Sequence, residues 1–332
     1  MTELVSIIIP TYNAERWIGD AIKSALNQTW QRKEIIIVND GSTDNTLRIA
    51  RQFESKFVKV ITQKNEGANA ARNRGLEFAQ GDYIQWLDAD DILAPDKISL
   101  QLKHINGDKS GRILLSGAWG KFFFSTAKAR FIPNSLWQDL RPVEWIFRKM
   151  NDNVWMTIES WLVSRKLTEL AGPWNQEAYE DGEYICRVVS TSEKIKFVPE
   201  AKSYYRVGIL GSMNRSIDKS DKNLESQFLS IYLHTRYLLS LEDSERTRKA
   251  CLRHLQNWLI YFYPEKTAIL EKANNLAEEL GGKLSPPALT WKYSLIKQVF
   301  GWKMAKRARR LLPEFKIQIL KNLERLLYIL SI

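Results

Sequence analysis

The sequence predicts an α/β protein: a mixed, Rossmann-like central sheet with flanking helices, followed by a helical C-terminal region. Three observations carry this prediction. Short β-branched runs alternate with stretches of helical periodicity from the start of the chain, each run ends in a polar loop, and from about Ser220 only helical spacing remains.

Residues 5–10 form an apolar run closed by Pro10, as expected of a strand buried on both faces. Thr11, Tyr12 and Asn13 make the loop after it, and residues 15–27 place Ile18, Ile22, Ala25 and Leu26 on one helical stripe. Residues 34–38 repeat the strand, 39–44 the turn and 45–53 the helix. A third strand over 58–62 leads to Asn65, Glu66 and Gly67, then to a helix whose Ala68, Ala71, Gly75 and Ala79 allow close approach to the sheet. Units of this kind wind right-handed into a parallel sheet, and ligands bind beyond the carboxyl ends of its strands.

The fourth strand, 83–87, ends in Asp88-Ala89-Asp90-Asp91. Three carboxylates so close repel one another, and a hard divalent cation held through oxygen offsets that cost. The spacing lets Asp88 and Asp90 face one crevice, so both are candidate ligands of Mn²⁺ or Mg²⁺, with positions left for phosphate oxygens. A polar turn is the competing reading of a lone Asp-x-Asp pair. Here four strands deliver polar loops to the same rim, which points to a nucleotide-diphosphate site. The chain has no glycine-rich dinucleotide fingerprint after its first strand and no P-loop, which disfavours a nicotinamide dehydrogenase or a P-loop ATPase.

These residues resemble an enzyme family. Residues 5–13, 38–44, 65–67 with 71–75, and 88–91 look like the ordered motifs of glycosyltransferase family 2. The resemblance runs over about residues 4–210 and implies a GT-A fold, a nucleotide-diphosphate sugar as donor and inversion at the anomeric carbon. It implies that Pro10, Thr11 and Tyr12 line the base pocket and that Asp40 accepts a hydrogen bond from the base. Asp88 would approach the ribose and diphosphate, Asp90 would be the principal metal ligand, and Arg72 would contact base or phosphate. Asp44 and Asp91 are left between a site role and shaping their turns.

Beyond residue 92, Pro95 opens a helix, while 113–115 and 122–124 read as strands with Gly117 and Gly120 marking turns between them. Trp155, beside polar residues, is the leading candidate to stack on a sugar, against a core role for any single tryptophan. Glu180, Asp181 and Glu183 cluster near a helix start, where acids are also favoured by the helix dipole. An inverting transfer needs a carboxylate to take the acceptor's proton, and the resemblance singles out Asp181 as base with Glu180 beside it. Residues 194–198 form the next strand. Ser203-Tyr204-Tyr205-Arg206 resembles the segment that closes family 2 catalytic domains and makes Arg206 or Ser212 a candidate diphosphate contact. The histidine of the following loop is missing, which puts that contact and the loop's closing motion in question.

The expected organisation is a catalytic domain over 1–212, a helical extension over 213–285 and a basic amphipathic tail over 286–332. The chain has 332 residues and a net charge of +11. From Thr290 onward ten lysines and arginines oppose two glutamates, so +8 of that charge lies in the tail. Lys303, Lys306, Arg307, Arg309 and Arg310 alternate with Trp291, Tyr293, Phe300 and Trp302, a pattern that suits an anionic membrane surface. Covering the catalytic domain, or a second subunit in an oligomer, is the alternative; nucleic acid is disfavoured because no binding motif accompanies the charge. Cys186 and Cys251 have no metal-ligand spacing, and His104, His234 and His254 form no zinc motif. The start of the chain has no signal segment and no run reaches the roughly 20 apolar residues of a bilayer span, so a cytoplasmic enzyme, peripheral on the inner membrane face, is expected.

The whole reads as an inverting, metal-dependent glycosyltransferase that moves sugar from a nucleotide-diphosphate donor, UDP-linked by expectation, to a hydroxyl of a glycan or lipid-linked saccharide in envelope or surface polysaccharide synthesis. The rivals are a nucleotidyltransferase or retaining sugar transferase on a similar sheet, and a membrane- or nucleic-acid-binding protein with a degenerate transferase domain.

Overall fold

The computed structural model describes residues 3–105, 110–178, 181–208 and 220–329. Strands β1 (Val5–Thr11), β2 (Lys33–Asp40), β3 (Val58–Gln63) and β4 (Tyr83–Trp86) are parallel in the order β3-β2-β1-β4. Between them run α1 (Ile18–Leu26), α2 (Thr46–Arg51) and α3 (Ala68–Phe78). Successive side chains of a strand point to opposite faces, and the central strands show it: Ile7, Ile9, Ile35 and Ile37 enter one core, Ile8, Ile36 and Val38 the other. Helix α3 packs so tightly that a Cβ on Gly75 would lie 2.4 Å from a methyl of Ile8. In α1 the buried stripe is Ile18, Ala21, Ile22 and Ala25, while Leu26 is exposed.

A second sheet, ordered β5-β9-β6-β7 with β9 spanning Lys194–Arg206, continues the chain through β5 (Ile92–Leu93), α4 (Lys97–Leu102), β6 (Ile113–Phe122) and β7 (Arg130–Phe131). After α5 (Pro142–Asn151), β8 (Val163–Ser164) adds an antiparallel edge to the first sheet. Helices α6 (Arg165–Ala171) and α7 (Asp181–Thr191) then lead to β9 (Lys194–Arg206). The two short strands expected around Gly117 and Gly120 are one ten-residue strand, and the strand expected at 194–198 runs on to Arg206. The glycines serve close approach instead of turns: a Cβ at Gly117 would sit 2.1 Å from the Ala201 carbonyl oxygen on β9.

Helices α8 (Asp221–Leu241) and α9 (Glu245–Phe262) pack on α5 and α7, and α10 (Thr267–Glu279) packs on α8 and α9. Leu224, Phe228, Ile231, Leu255 and Phe262 belong to the same core as Trp86, Trp174 and Tyr184. The helices from Asp221 onward and the catalytic sheet thus share one hydrophobic core. Pro264 lies in the turn before α10 and does not open it. Helix α11 (Trp291–Ile329) is broken at Gly301, whose φ of 76° suits a residue without a Cβ. It returns to the body through Ala305, through Trp302 edge-on to Tyr263, and through Lys306, which donates to the Tyr263 carbonyl and pairs with Glu265.

Candidate active site

The carboxyl ends of β1, β2 and β4, the start of α3, the segment 153–159, the start of α7 and parts of α9 and α11 line one cleft of about 1190 Å³. Its geometry begins with loops that hold each other. Asn13, with φ of 48°, accepts from the Thr43 amide at 2.8 Å, while Asp44 accepts from the amides of Glu15 and Thr46. Asp44 thus shapes its turn. These bonds leave Tyr12 with its ring 49% exposed at the mouth, above Pro10 and Thr11.

Asp40 is buried, and three donors converge on it: Gln63 Nε2 at 2.8 Å, and the amides of Glu66 and Gly67 at 2.9 Å each. It clamps the loop after β3, and a carboxylate's roughly four acceptor positions leave one for a ligand. Arg72, buried on α3, donates to Asp88 Oδ1 at 2.8 Å and to Asn69 Oδ1 at 3.1 Å, with its guanidinium over Trp174. That ion pair points Asp88 into the cleft, beside Asp90.

Burial, and then the charge of Asp88, push the Asp90 carboxyl up to about 7. Two carboxylates that repel one another at a cleft wall, both hard oxygen donors, fit a divalent cation of the magnesium or manganese kind. Among the described residues no group of three or more His, Cys, Asp or Glu side chains encloses an ion ready-made. Asp91 turns away: it is buried and its Oδ1 accepts from the Arg206 amide at 2.7 Å.

Arg206 stands elsewhere than a diphosphate contact requires. It is buried outside the lining of the cleft, and its Nε donates to the Asp90 carbonyl at 2.8 Å, its Nη1 to Phe123 O and its Nη2 to Asp20. It lies between Trp17 and Phe122 and props the acidic loop from behind.

Asp181 opens α7 and faces the cleft, where burial raises its carboxyl to about 6 against the pull of Arg72. Glu183 is occupied elsewhere, with Arg187 on both its oxygens and the Tyr237 hydroxyl at 2.6 Å. Glu180 and Ser212 lie outside the described residues. Trp155 is 41% exposed in the lining, tilted over Trp119 at 4.6 Å between ring centroids.

Two features went unseen in the sequence. Glu159 is fully buried at the cleft floor with no partner on either oxygen, and burial, with the charges of Asp88 and Asp181, raises it to about 8. Its signal was one acid inside the otherwise uncharged run 154–164. His234 and His254 form a buried pair at 3.5 Å beneath Gly182, held neutral by burial, which takes His254 to about 3. The sequence reads both histidines as packing or surface residues of the helices; what it does not show is that they meet, or that His254 reaches the cleft lining.

A doubly wound sheet with a cleft beyond its carboxyl edge, an acidic turn after the fourth strand and a second sheet beside it make the GT-A fold of nucleotide-sugar transferases. Residues 6–156, a little under half of the chain, match the family model Glycosyl transferase family 2. It is 49% identical over 102 residues to an uncharacterized glycosyltransferase of Haemophilus influenzae, covering 30% of this chain and 41% of that protein. It is 44% identical over 109 residues to a chondroitin synthase of Escherichia coli, covering 32% of this chain and 16% of that one. The matched stretch is therefore less than half the length of either relative. A crystal structure of S. aureus TarS 1-349 superposes with a TM-score of 0.55 at 16% identity, over 92% of this chain and 91% of that one, and the same fragment is known in complex with UDP-GlcNAc.

Proposed function

We propose that the protein is an inverting, metal-dependent glycosyltransferase that moves a sugar from a nucleotide-diphosphate donor to a hydroxyl of an envelope or surface glycan. The observation that carries this reading is the meeting of Tyr12, Asp40, Arg72, Asp88, Asp90 and Asp181 in one cleft, although they come from five separate stretches of chain. Tyr12 offers a face to the base, and Asp40 keeps one acceptor position for it. Asp88 and Asp90 would hold Mn²⁺ or Mg²⁺, with phosphate oxygens and water completing the shell; the cation would neutralise charge on the departing diphosphate. The UDP-GlcNAc complex of TarS and the polysaccharide product named for the chondroitin synthase support a uridine nucleotide and a glycan acceptor.

Asp181 carries the proton step. The acceptor oxygen bonds to the anomeric carbon from the face opposite the diphosphate, the carbon–diphosphate oxygen bond breaks, and the acceptor's proton passes to the Asp181 carboxylate. With its carboxyl at about 6, Asp181 is ionised at neutral pH and basic enough to receive a proton. Glu180 is proposed to orient this helix start. No helix among the described residues is long and apolar enough to cross a membrane, and α11 turns Trp291 (78% exposed), Val299 (72%) and Phe300 (66%) outward beside exposed Lys303 and Arg307. That combination supports peripheral attachment to an anionic membrane.

The test is transfer from a panel of nucleotide sugars with Mn²⁺ or Mg²⁺, with the anomeric configuration of the product determined. Asp181→Asn should bind donor as the wild type does and lose transfer by roughly 10²- to 10⁴-fold. Wild-type kcat/KM should fall tenfold per pH unit below about 6, where Asp181 takes up its proton. Retained configuration, or full activity in Asp181→Asn, would contradict the reading.

A further inference from the structure

We infer that α9 and α11 build an acceptor subsite for an extended anionic saccharide, a chain carrying more than one negative group. This inference rests on the transferase reading and names the class of its second substrate. The cleft exceeds the roughly 300–1,000 Å³ of a pocket for one small ligand, so it has room for two. The same lining also takes in residues not assigned to the donor: Trp155 from the catalytic part, Asn257, Trp258 and Tyr261 from α9, and Arg309 and Lys321 from α11.

These residues have the chemistry of saccharide recognition. Trp155 is braced by Trp119 and, edge-on, by Tyr205, so its exposed face is a fixed platform for the apolar side of a sugar ring. Trp258 lies tilted against Tyr261 at 5.3 Å, and its Nε1 is buried without a partner. Asn257 is exposed beside them and offers both donor and acceptor atoms.

The charge defines the class. Away from α11 the lining carries seven acids, Asp40, Asp88, Asp90 and Asp181 among them, against Arg16, Arg72 and Lys149, so an anionic acceptor needs further positive charge. The cations of α11 oppose that field. Lys321 is fixed by donation to the Gly208 carbonyl at 2.7 Å and lies over Phe124, at the end of β9. Arg309 enters the same cleft twelve residues earlier, about 18 Å away along a helix. One phosphate cannot meet both; a chain with repeated charge can.

The test uses the full chain with saturating uridine diphosphate and Mn²⁺, titrated with three probes: an oligosaccharide carrying repeated phosphate or carboxylate groups, a neutral one of equal length, and a disaccharide on a short prenyl diphosphate. The charged oligomer should bind tightest, and Arg309→Ala with Lys321→Ala should weaken it by on the order of tenfold or more, leaving uridine diphosphate affinity and the neutral probe unchanged. Trp155→Ala should weaken both oligosaccharides. Equal binding of charged and neutral oligomers, preference for the prenyl diphosphate, or an unaffected double variant would overturn the inference. Uridine diphosphate affinity reports independently: if the wild type does not bind it, the transferase reading itself has failed.

Discussion

Glu159 and Asp181 are both carboxyls held above ordinary acidity by burial, and only Asp181 is proposed to receive a proton. In that proposal the shift suits Asp181 to its step, whereas Glu159, with neither oxygen hydrogen-bonded, stands for a cost to folding. Its sign is definite. Between the ordinary glutamate value and about 8 the folded protein keeps a proton that the unfolded chain has lost, so stability declines as pH rises through that window. Glu159→Gln cannot ionise and escapes the decline. Thermal unfolding should show it close to wild type at pH 5 and stabilised at pH 8 and above, by about 1–3 kcal/mol. A difference that does not change with pH would show that Glu159 ionises as readily in the folded state as in water. Sequence pattern could reveal Asp88, Asp90 and Asp181, because acids at the end of a strand or the start of a helix stand out. It could not distinguish Arg206 turned inward from Arg206 facing a ligand, since both satisfy the same aromatic-rich segment; only the positions of Asp90 O, Phe123 O and Asp20 decide.

Among the elements, the parallel strands were legible because β-branched runs with polar ends seldom fold as anything but buried strands. β6 differs from its expected pair of strands for a physical reason: glycine serves a tight approach as readily as a turn, and only the partner strand, with Ala201 against Gly117, shows which applies. Helix α11 divides the roles its composition left open. Ala305, Trp302 and Lys306 face the body, and Lys306 is tied to Glu265, while Lys303 and Arg307 remain exposed beside outward apolar residues. The outward charges should therefore bind membrane without serving the cleft. Lys303→Glu with Arg307→Glu should release the protein from anionic vesicles, because each basic residue near such a surface contributes about 1 kcal/mol. Added salt should weaken wild-type binding, and activity on a soluble acceptor should hold. Equal sedimentation of wild type and variant with anionic vesicles would rule out this attachment.

At the scale of the molecule, one core runs from Trp86 and Trp174 through Tyr184 into Phe228 and Phe262, so the helices beyond the matched family region are built onto the catalytic sheet. This continuity brings α9 to the cleft. It was hidden from sequence because apolar stripes show that helices pack, but not against what. On the reading proposed above, the acidic turn after β4 makes nucleotide binding depend on a divalent cation. Its most direct test is calorimetry of uridine diphosphate binding to wild type and to Asp90→Asn, with and without Mn²⁺, at pH 8, above the value of about 7 to which Asp90 is raised. Wild type should bind at least about tenfold more tightly with the metal, and Asp90→Asn should stay folded and lose most of that gain. Equal affinity with and without metal in the wild type, or undiminished metal dependence in Asp90→Asn, would contradict it.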